Sequence, residues 1–130
     1  MLIKSQGGGR TTFPKGKWAA RIVRIKSRES QQGNPMLTLV WRADDGQSYT
    51  DADGVDKALD GAEVLDNLTL IESAEWRVAE YYEAITGEEY PQSGEDWDAN
   101  RLTESSAFIT VDEEEFNGRM RPRVMQVEPM

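Results

Sequence analysis

Residues 17–28, with the sequence KWAARIVRIKSR, decide the fold class. The first half alternates, because Trp18, Ala20 and Ile22 fall on one side of an extended chain, as in a half-buried strand. The alternation then slips, since the apolar residues that follow occupy the odd positions and basic residues the even ones. A strand that changes its buried face midway usually contains a bulge. The stretch therefore predicts a long, curved first strand shared between two sides of a small β-barrel.

Five further β segments follow from apolar alternation and from turn residues. The run MLTLVWR alternates after a Gly-Asn-Pro turn, and Asp44-Asp45-Gly46 predicts a hairpin into the next strand. Asn117-Gly118 between two apolar runs is the strongest short hairpin signal in the chain. The predicted strands after the first are residues 36–42, 47–50, 63–70, 107–111 and 119–127.

One helix is predicted over residues 73–86. Ser73 is a suitable N-cap, acidic residues occupy the first turn, and Gly87 is placed to end the helix. Apolar residues recur at spacings of three and four, which predicts one buried stripe. That stripe consists of Trp76, Ala79, Tyr82 and Ile85, with Val78 beside it.

The order β-β-β, helix, β-β predicts a mainly β protein with one inserted helix between the third and fourth main strands. In about 110 residues, this order is the plan of an OB-fold-like barrel, a five-stranded Greek key. Residues 1–16, rich in Gly, Thr and Ser, are expected to form a flexible leader, and residues 17–130 a single domain.

Missing residue types narrow the chemistry. The chain has no Cys and no His, which excludes zinc fingers, thiol nucleophiles and Ser-His-Asp triads. No phosphate-binding glycine motif is present. We therefore expect a protein that is not an enzyme and holds no cofactor or metal. There is neither a secretory signal nor an apolar run of about 20 residues, so a cytoplasmic location without membrane contact is expected.

The net charge of −9 hides an uneven distribution. Residues 1–42 carry nine basic side chains and one acidic one, and residues 117–130 carry three basic and one acidic. The middle, residues 43–116, carries 22 acidic and three basic side chains. If the two ends fold next to each other, they form one positive face on an acidic body, and this pattern indicates a polyanionic partner.

If the chain binds nucleic acid, basic and aromatic side chains are expected to contact the phosphates and bases. Single-strand binders combine a positive groove that tracks phosphates with aromatic rings on which bases stack. Basic residues alternate on the first strand and again on the last one. Trp41 fits either the barrel core or a stacking site, while Phe116 precedes the last turn and Phe13 could fold over a bound strand. The candidate binding residues are Arg24, Lys26, Arg28, Trp41, Arg42, Phe116, Arg119, Arg121 and Arg123.

Three segments together resemble a small phage-encoded family, that of domain of unknown function six-six-nine. They are GKWAARIVRIKSRESQQGNPMLTLVWRADDG (16–46), LDNLTLIESAEWRVAEYYEAITGEEY (65–90) and FNGRMRPRVMQVEP (116–129). The family's G-x-P-x-L and D-N-L-x-L strands, its helix ending in Gly and its N-G hairpin all have counterparts here. The segment 47–62 is longer than the family pattern. The resemblance implies an OB-fold protein similar to single-stranded DNA-binding proteins, acting with phage replication or recombination proteins in the host cytoplasm.

The sequence thus predicts a non-catalytic protein that coats or positions single-stranded DNA with little sequence preference, as a monomer or a homo-oligomer. The alternative is an acidic DNA mimic or adaptor, whose carboxylates imitate phosphates and thereby inhibit or recruit a DNA-processing enzyme. A nuclease is the least favoured, since no spacing of carboxylates supports a two-metal site. The run Glu113–Glu115 is more typical of a solvated sheet edge than of a metal site.

Overall fold

The computed structural model describes residues 12–92 and 94–130, which form seven β-strands and one α-helix. The strands are β1 (Gly16–Glu29), β2 (Pro35–Ala43), β3 (Ser48–Thr50), β4 (Asp56–Ala58), β5 (Glu63–Thr69), β6 (Ala107–Phe116) and β7 (Arg119–Glu128). The helix is α1 (Glu75–Thr86), and short 3-10 helices span Glu72–Ala74 and Ala99–Thr103. The prediction of a mainly β protein with one α-helix is confirmed.

Five strands form one antiparallel sheet in the order β5-β2-β1-β6-β7. The long strand β1 is central, since its first residues pair with β6 and its later ones with β2. Its register against β2 shifts between Ile22 and Arg24, which confirms the predicted bulge. The two outermost strands, β5 and β7, approach each other within 8 Å (Cα–Cα), so the sheet curls strongly.

The hairpin at Asn117-Gly118 forms as predicted. Phe116 pairs directly with Arg119, and both turn residues have positive φ, 52° for Asn117 and 77° for Gly118. Positive φ at both central positions is the geometry that suits a two-residue turn to the twist of its strands. The hairpin is longer than predicted, because β6 continues past Val111 to the turn.

The hairpin predicted from β2 into residues 47–50 is wrong. Strand β3 pairs with β4 in a separate two-stranded sheet, because β1 and β5 already occupy both sides of β2. The side chain of Gln47 anchors the start of this segment to the backbone of β1 and not to β2. Its side chain accepts a hydrogen bond from the Ala19 amide (2.7 Å) and donates to the Ala19 carbonyl (2.8 Å).

The helix placement also differs from the predicted one. The helix begins at Glu75 with Ala74 as its N-cap, after a 3-10 turn, so Ser73 does not cap it. Since β3 and β4 add two strands, α1 follows the fifth strand of the chain. Gly87 ends the helix as predicted, with a left-handed φ of 72°.

The buried stripe of α1 is only partly the one predicted. Trp76 is 67% exposed, whereas Val78, Tyr81, Tyr82 and Ile85 are buried against the sheet. The prediction was therefore right for Val78, Tyr82 and Ile85, wrong for Trp76, and it missed Tyr81.

One core cluster lies between α1 and the curled sheet and includes Trp41. Phe13 also belongs to it, so the predicted role of Phe13 over a bound strand is wrong. Residues 1–11 of the predicted leader lie outside the described residues. Among the helices of the described part of the chain, none is long and apolar enough to cross a membrane.

Candidate nucleic-acid interface

The bulge in β1 keeps four basic side chains of that strand on one outer face of the sheet, where Arg42 of β2 joins them. Arg21 pairs with Arg42, but beyond the bulge Arg24 pairs with Val40, two residues further along β2. Residues two apart on a strand face the same side, so Arg21 and Arg24 share a face although they are three apart. We call the exposed side chains of this surface the basic face: Arg21, Arg24, Lys26, Arg28 and Arg42.

Two members of the basic face share one carboxylate. Glu63 on β5 accepts hydrogen bonds from Arg24 Nη2 at 3.1 Å and from Arg42 Nε at 2.9 Å. The two guanidinium groups remain about half exposed, while the Glu63 side chain is 8% exposed. Within the described residues, the side chains of Arg21, Lys26 and Arg28 form no ion pair. The face therefore carries excess positive charge in a protein that is acidic overall.

The β6–β7 hairpin carries the second basic group. Arg121 and Arg123 both pair with Glu114, at 3.5 Å and 2.8 Å, and Arg119 forms no ion pair among the described residues. The neighbouring Glu113 and Glu115 lie on β6 of the same hairpin. The Arg121 guanidinium lies 4.0 Å from the centre of the Phe116 ring, and that ring is 51% exposed. The hairpin thus presents a stacked cation and aromatic pair to solvent.

A cleft of about 580 Å³ separates this hairpin from the basic face. Val40, Leu65 and Asn67 form its sheet side, and Arg121 and Arg123 form its hairpin side. Glu63, which Arg24 and Arg42 share, and Glu114, which Arg121 and Arg123 share, both line this cleft. Lys26 and Arg28 continue the positive surface along β1, away from the cleft lining.

Trp41 is not available for stacking. It is fully buried, its indole ring packs edge-on against Tyr81 at 5.9 Å, and its Nε1 donates to Asp66 Oδ2 at 3.2 Å. A base cannot reach a side chain enclosed in this way, so the candidate role of Trp41 in binding is wrong. The alternative, a place in the core, is correct.

A buried carboxylate network supports the floor of the cleft. Asp66 accepts hydrogen bonds from Trp41, from the Tyr81 hydroxyl and from Arg77 Nη2 (3.1 Å). Arg77 also donates from Nη1 to the Asn67 carbonyl at 2.6 Å and thereby ties α1 to β5. A buried carboxylate needs such partners, because removing its charge from water costs several kcal/mol.

Sequence reasoning did not identify this network. The available signal was the position of Asp66 in EVLDNLT, where it replaces an apolar residue between the inward-facing Val64 and Leu68. A carboxylate at an inward position of a strand requires buried donors, which Tyr81 and Arg77 provide.

Stability should fall in alkaline solution because of Tyr81. Burial raises the pKa of this phenol well above its ordinary value of 10.0, and the nearby Asp66 carboxylate raises it further. The protonated Tyr81 phenol stabilises the fold fully at pH values below its pKa in the unfolded chain. This contribution is lost as the pH rises above about 10, because the unfolded chain then releases the proton more readily than the folded one. Urea unfolding from about pH 9 to about pH 11 should therefore show a steeper loss of unfolding free energy for wild type than for Tyr81→Phe. Parallel slopes would mean that the phenol is not held protonated in the folded chain.

No protein-family model matches the chain, and no curated protein matches it in sequence. The family resemblance described above therefore stays a prediction.

Proposed function

We propose that this protein is an OB-fold-like binder of single-stranded DNA. The support is the order of the five main strands together with the place of the basic side chains. OB-folds bind oligonucleotides on the face of their second and third strands, between the loop after strand one and the loop between strands four and five. In this chain, β2 and β5 are the second and third main strands, and the β6–β7 hairpin is the last loop.

The observation that carries the proposal is the bulge at Val23. A strand that continued without a bulge would bury either Arg21 or Arg24. The bulge instead keeps the basic residues outside on both of its sides while Ile22 and Ile25 stay inside or partly buried. Phosphates would follow the basic face, and bases would lie toward the cleft and stack on Phe116. Because the protein would contact the phosphate backbone of the strand and the flat faces of its bases, we expect little sequence preference.

On the family resemblance, we propose that the protein acts in phage replication or recombination, in the cytoplasm of the host. Coating or positioning an exposed strand is the step that this surface suits. No metal or cofactor is needed for such a role.

Salt dependence tests the electrostatic part of the proposal. We expect a labelled oligothymidine to bind with an affinity that falls steeply as salt rises, with a slope in log–log form of about −0.7 per phosphate contacted. Fluorescence anisotropy at several salt concentrations measures it, with a hairpin-free duplex of the same length and an oligouridine as comparison ligands. A slope near zero, or tighter binding of the duplex, would contradict the proposal.

The acidic mimic or adaptor remains the second candidate function. It is supported by the acidic middle of the chain and by α1, which exposes both Trp76 and Glu83. A mimic binds the enzyme and not the nucleic acid. Absence of any oligothymidine binding by the folded protein at low salt would therefore favour this candidate.

A further inference from the structure

A second cleft, of about 620 Å³, lies at the N-terminal end of α1 and shares no lining residue with the candidate nucleic-acid interface. Its volume is within the range of roughly 300–1,000 Å³ that is typical of ligand pockets. The lining combines two carboxylates, Glu72 and Glu75, with apolar and aromatic side chains, which are Leu37, Leu70, Ile71, Val78, Tyr90, Trp97 and Ala99. Leu70 remains 37% exposed, so apolar surface reaches the mouth.

The aromatic wall of this cleft is held in place by edge-to-face contacts. Tyr82, Tyr90 and Trp97 contact one another with ring centres 5.4–5.9 Å apart. Arg101 fixes the innermost ring, because its Nη1 donates to the Tyr82 hydroxyl at 2.6 Å. The same guanidinium bonds Glu104 at 3.0 Å and also pairs with Glu88. A wall built in advance lowers the ordering cost of binding.

Carboxylates surround the apolar lining. Glu72 and Glu75 line the cleft, and neither forms an ion pair in the part of the chain that the structure describes. Glu95 and Asp96 directly precede Trp97, are exposed, and also lack ion pairs among the described residues. By contrast, Lys57, Arg77 and Arg101, the basic residues of the acidic middle, are all occupied by carboxylates. The cleft therefore places apolar and aromatic side chains beside carboxylates that form no ion pair among the described residues.

We propose that this cleft docks a segment of a partner protein in which a large apolar side chain is flanked by Lys or Arg. The apolar side chain would enter between Leu70 and Trp97, and the cations would meet Glu72 and Glu75. Charge complementarity selects this occupant over nucleic acid, whose phosphates the same carboxylates repel. The inference does not depend on the proposed function, because the two clefts are separate.

Peptide selection tests the proposal. A display library of random 12-residue peptides is selected on the immobilised full chain, and the enriched peptides are synthesised and titrated by fluorescence anisotropy. We expect the enriched peptides to combine basic residues with Leu, Phe, Met or Trp. Glu72→Lys with Glu75→Lys should weaken their binding at least tenfold. The control Asp45→Lys with Asp53→Lys makes the same charge change at exposed positions outside the cleft and should change affinity less than twofold.

Leu70→Glu separates docking from general electrostatic adhesion. This change adds negative charge but breaks the apolar mouth, so docking predicts at least a tenfold loss and mere adhesion predicts a gain. Circular dichroism checks that the variant is folded, and its unchanged oligothymidine binding would keep this test separate from the nucleic-acid proposal. The proposal is overturned if no peptide is enriched, if Leu70→Glu leaves binding unchanged or stronger, or if oligothymidine displaces the peptides. Self-association in sedimentation that Leu70→Glu abolishes would assign the cleft to a second copy of the chain and overturn it as well.

Discussion

Replacing Trp41 with alanine is expected to lower the free energy of unfolding by about 3–5 kcal/mol. The indole is fully buried in the core between β2 and α1, so its removal leaves a large cavity. It also removes one of the three side-chain donors to the buried Asp66 carboxylate, and the loss of that hydrogen bond adds to the cost. Urea unfolding followed by far-UV circular dichroism measures the change without using tryptophan fluorescence.

Trp76→Ala is the matched control for this experiment. Trp76 is mostly exposed on the outer face of α1, so its removal should change the unfolding free energy by no more than about 0.5 kcal/mol. Equal losses for the two variants would contradict the packing of α1 described above. Little loss for Trp41→Ala would also restore the possibility that this ring stacks on a base.

Reversing the hairpin charges should have the largest effect on binding. Arg119→Glu, Arg121→Glu and Arg123→Glu together are expected to weaken oligothymidine binding more than about tenfold. The log–log salt slope should become shallower by about 2, since each lost phosphate contact accounts for about 0.7. The thermal midpoint should hardly move, because exposed ion pairs contribute only about 0–1 kcal/mol each. Anisotropy titration and thermal unfolding measure the two effects separately.

Glu114→Gln is a control for the hairpin in which the affinity for oligothymidine should change in the opposite direction. It removes the carboxylate that Arg121 and Arg123 share, so both guanidinium groups become available and affinity should rise. Lys57→Glu, a charge reversal on the β3–β4 sheet, should leave affinity nearly unchanged. Unchanged binding in the folded triple variant would exclude the hairpin from the interface.

The elements set by local patterns could be predicted from the sequence. The alternation of β1, the slip at Val23 and the Asn117-Gly118 turn depend on neighbouring residues, and the structure confirms the bulge and the hairpin. Pairing of β3 could not be predicted locally. It depends on Gln47 reaching Ala19, 28 residues earlier, and on β5 occupying the free side of β2.

The orientation of α1 depended on a tertiary contact. Periodicity permits two stripes. Trp76, Ala79, Tyr82 and Ile85 recur at spacings of three, while Tyr81 lies three residues after Val78 and four before Ile85. Asp66 selects the second, since a buried carboxylate requires the donors that Tyr81 and Arg77 supply. The cleft between the β6–β7 hairpin and the sheet also depends on tertiary structure. It forms where β5 and β7 approach each other, and no local sequence pattern predicts that approach.

Mapping the residues that respond to a bound strand tests the central claim most directly. Amide chemical shifts of the ¹⁵N-labelled protein are followed by NMR while oligothymidine is added at low salt. The account predicts that shifts concentrate on the basic face of β1 and β2, on β5 beside the cleft and on the hairpin from Phe116 to Arg123. The outer face of α1 around Trp76 should not respond. Shifts centred on α1, or no shifts at all with folded protein, would contradict the account.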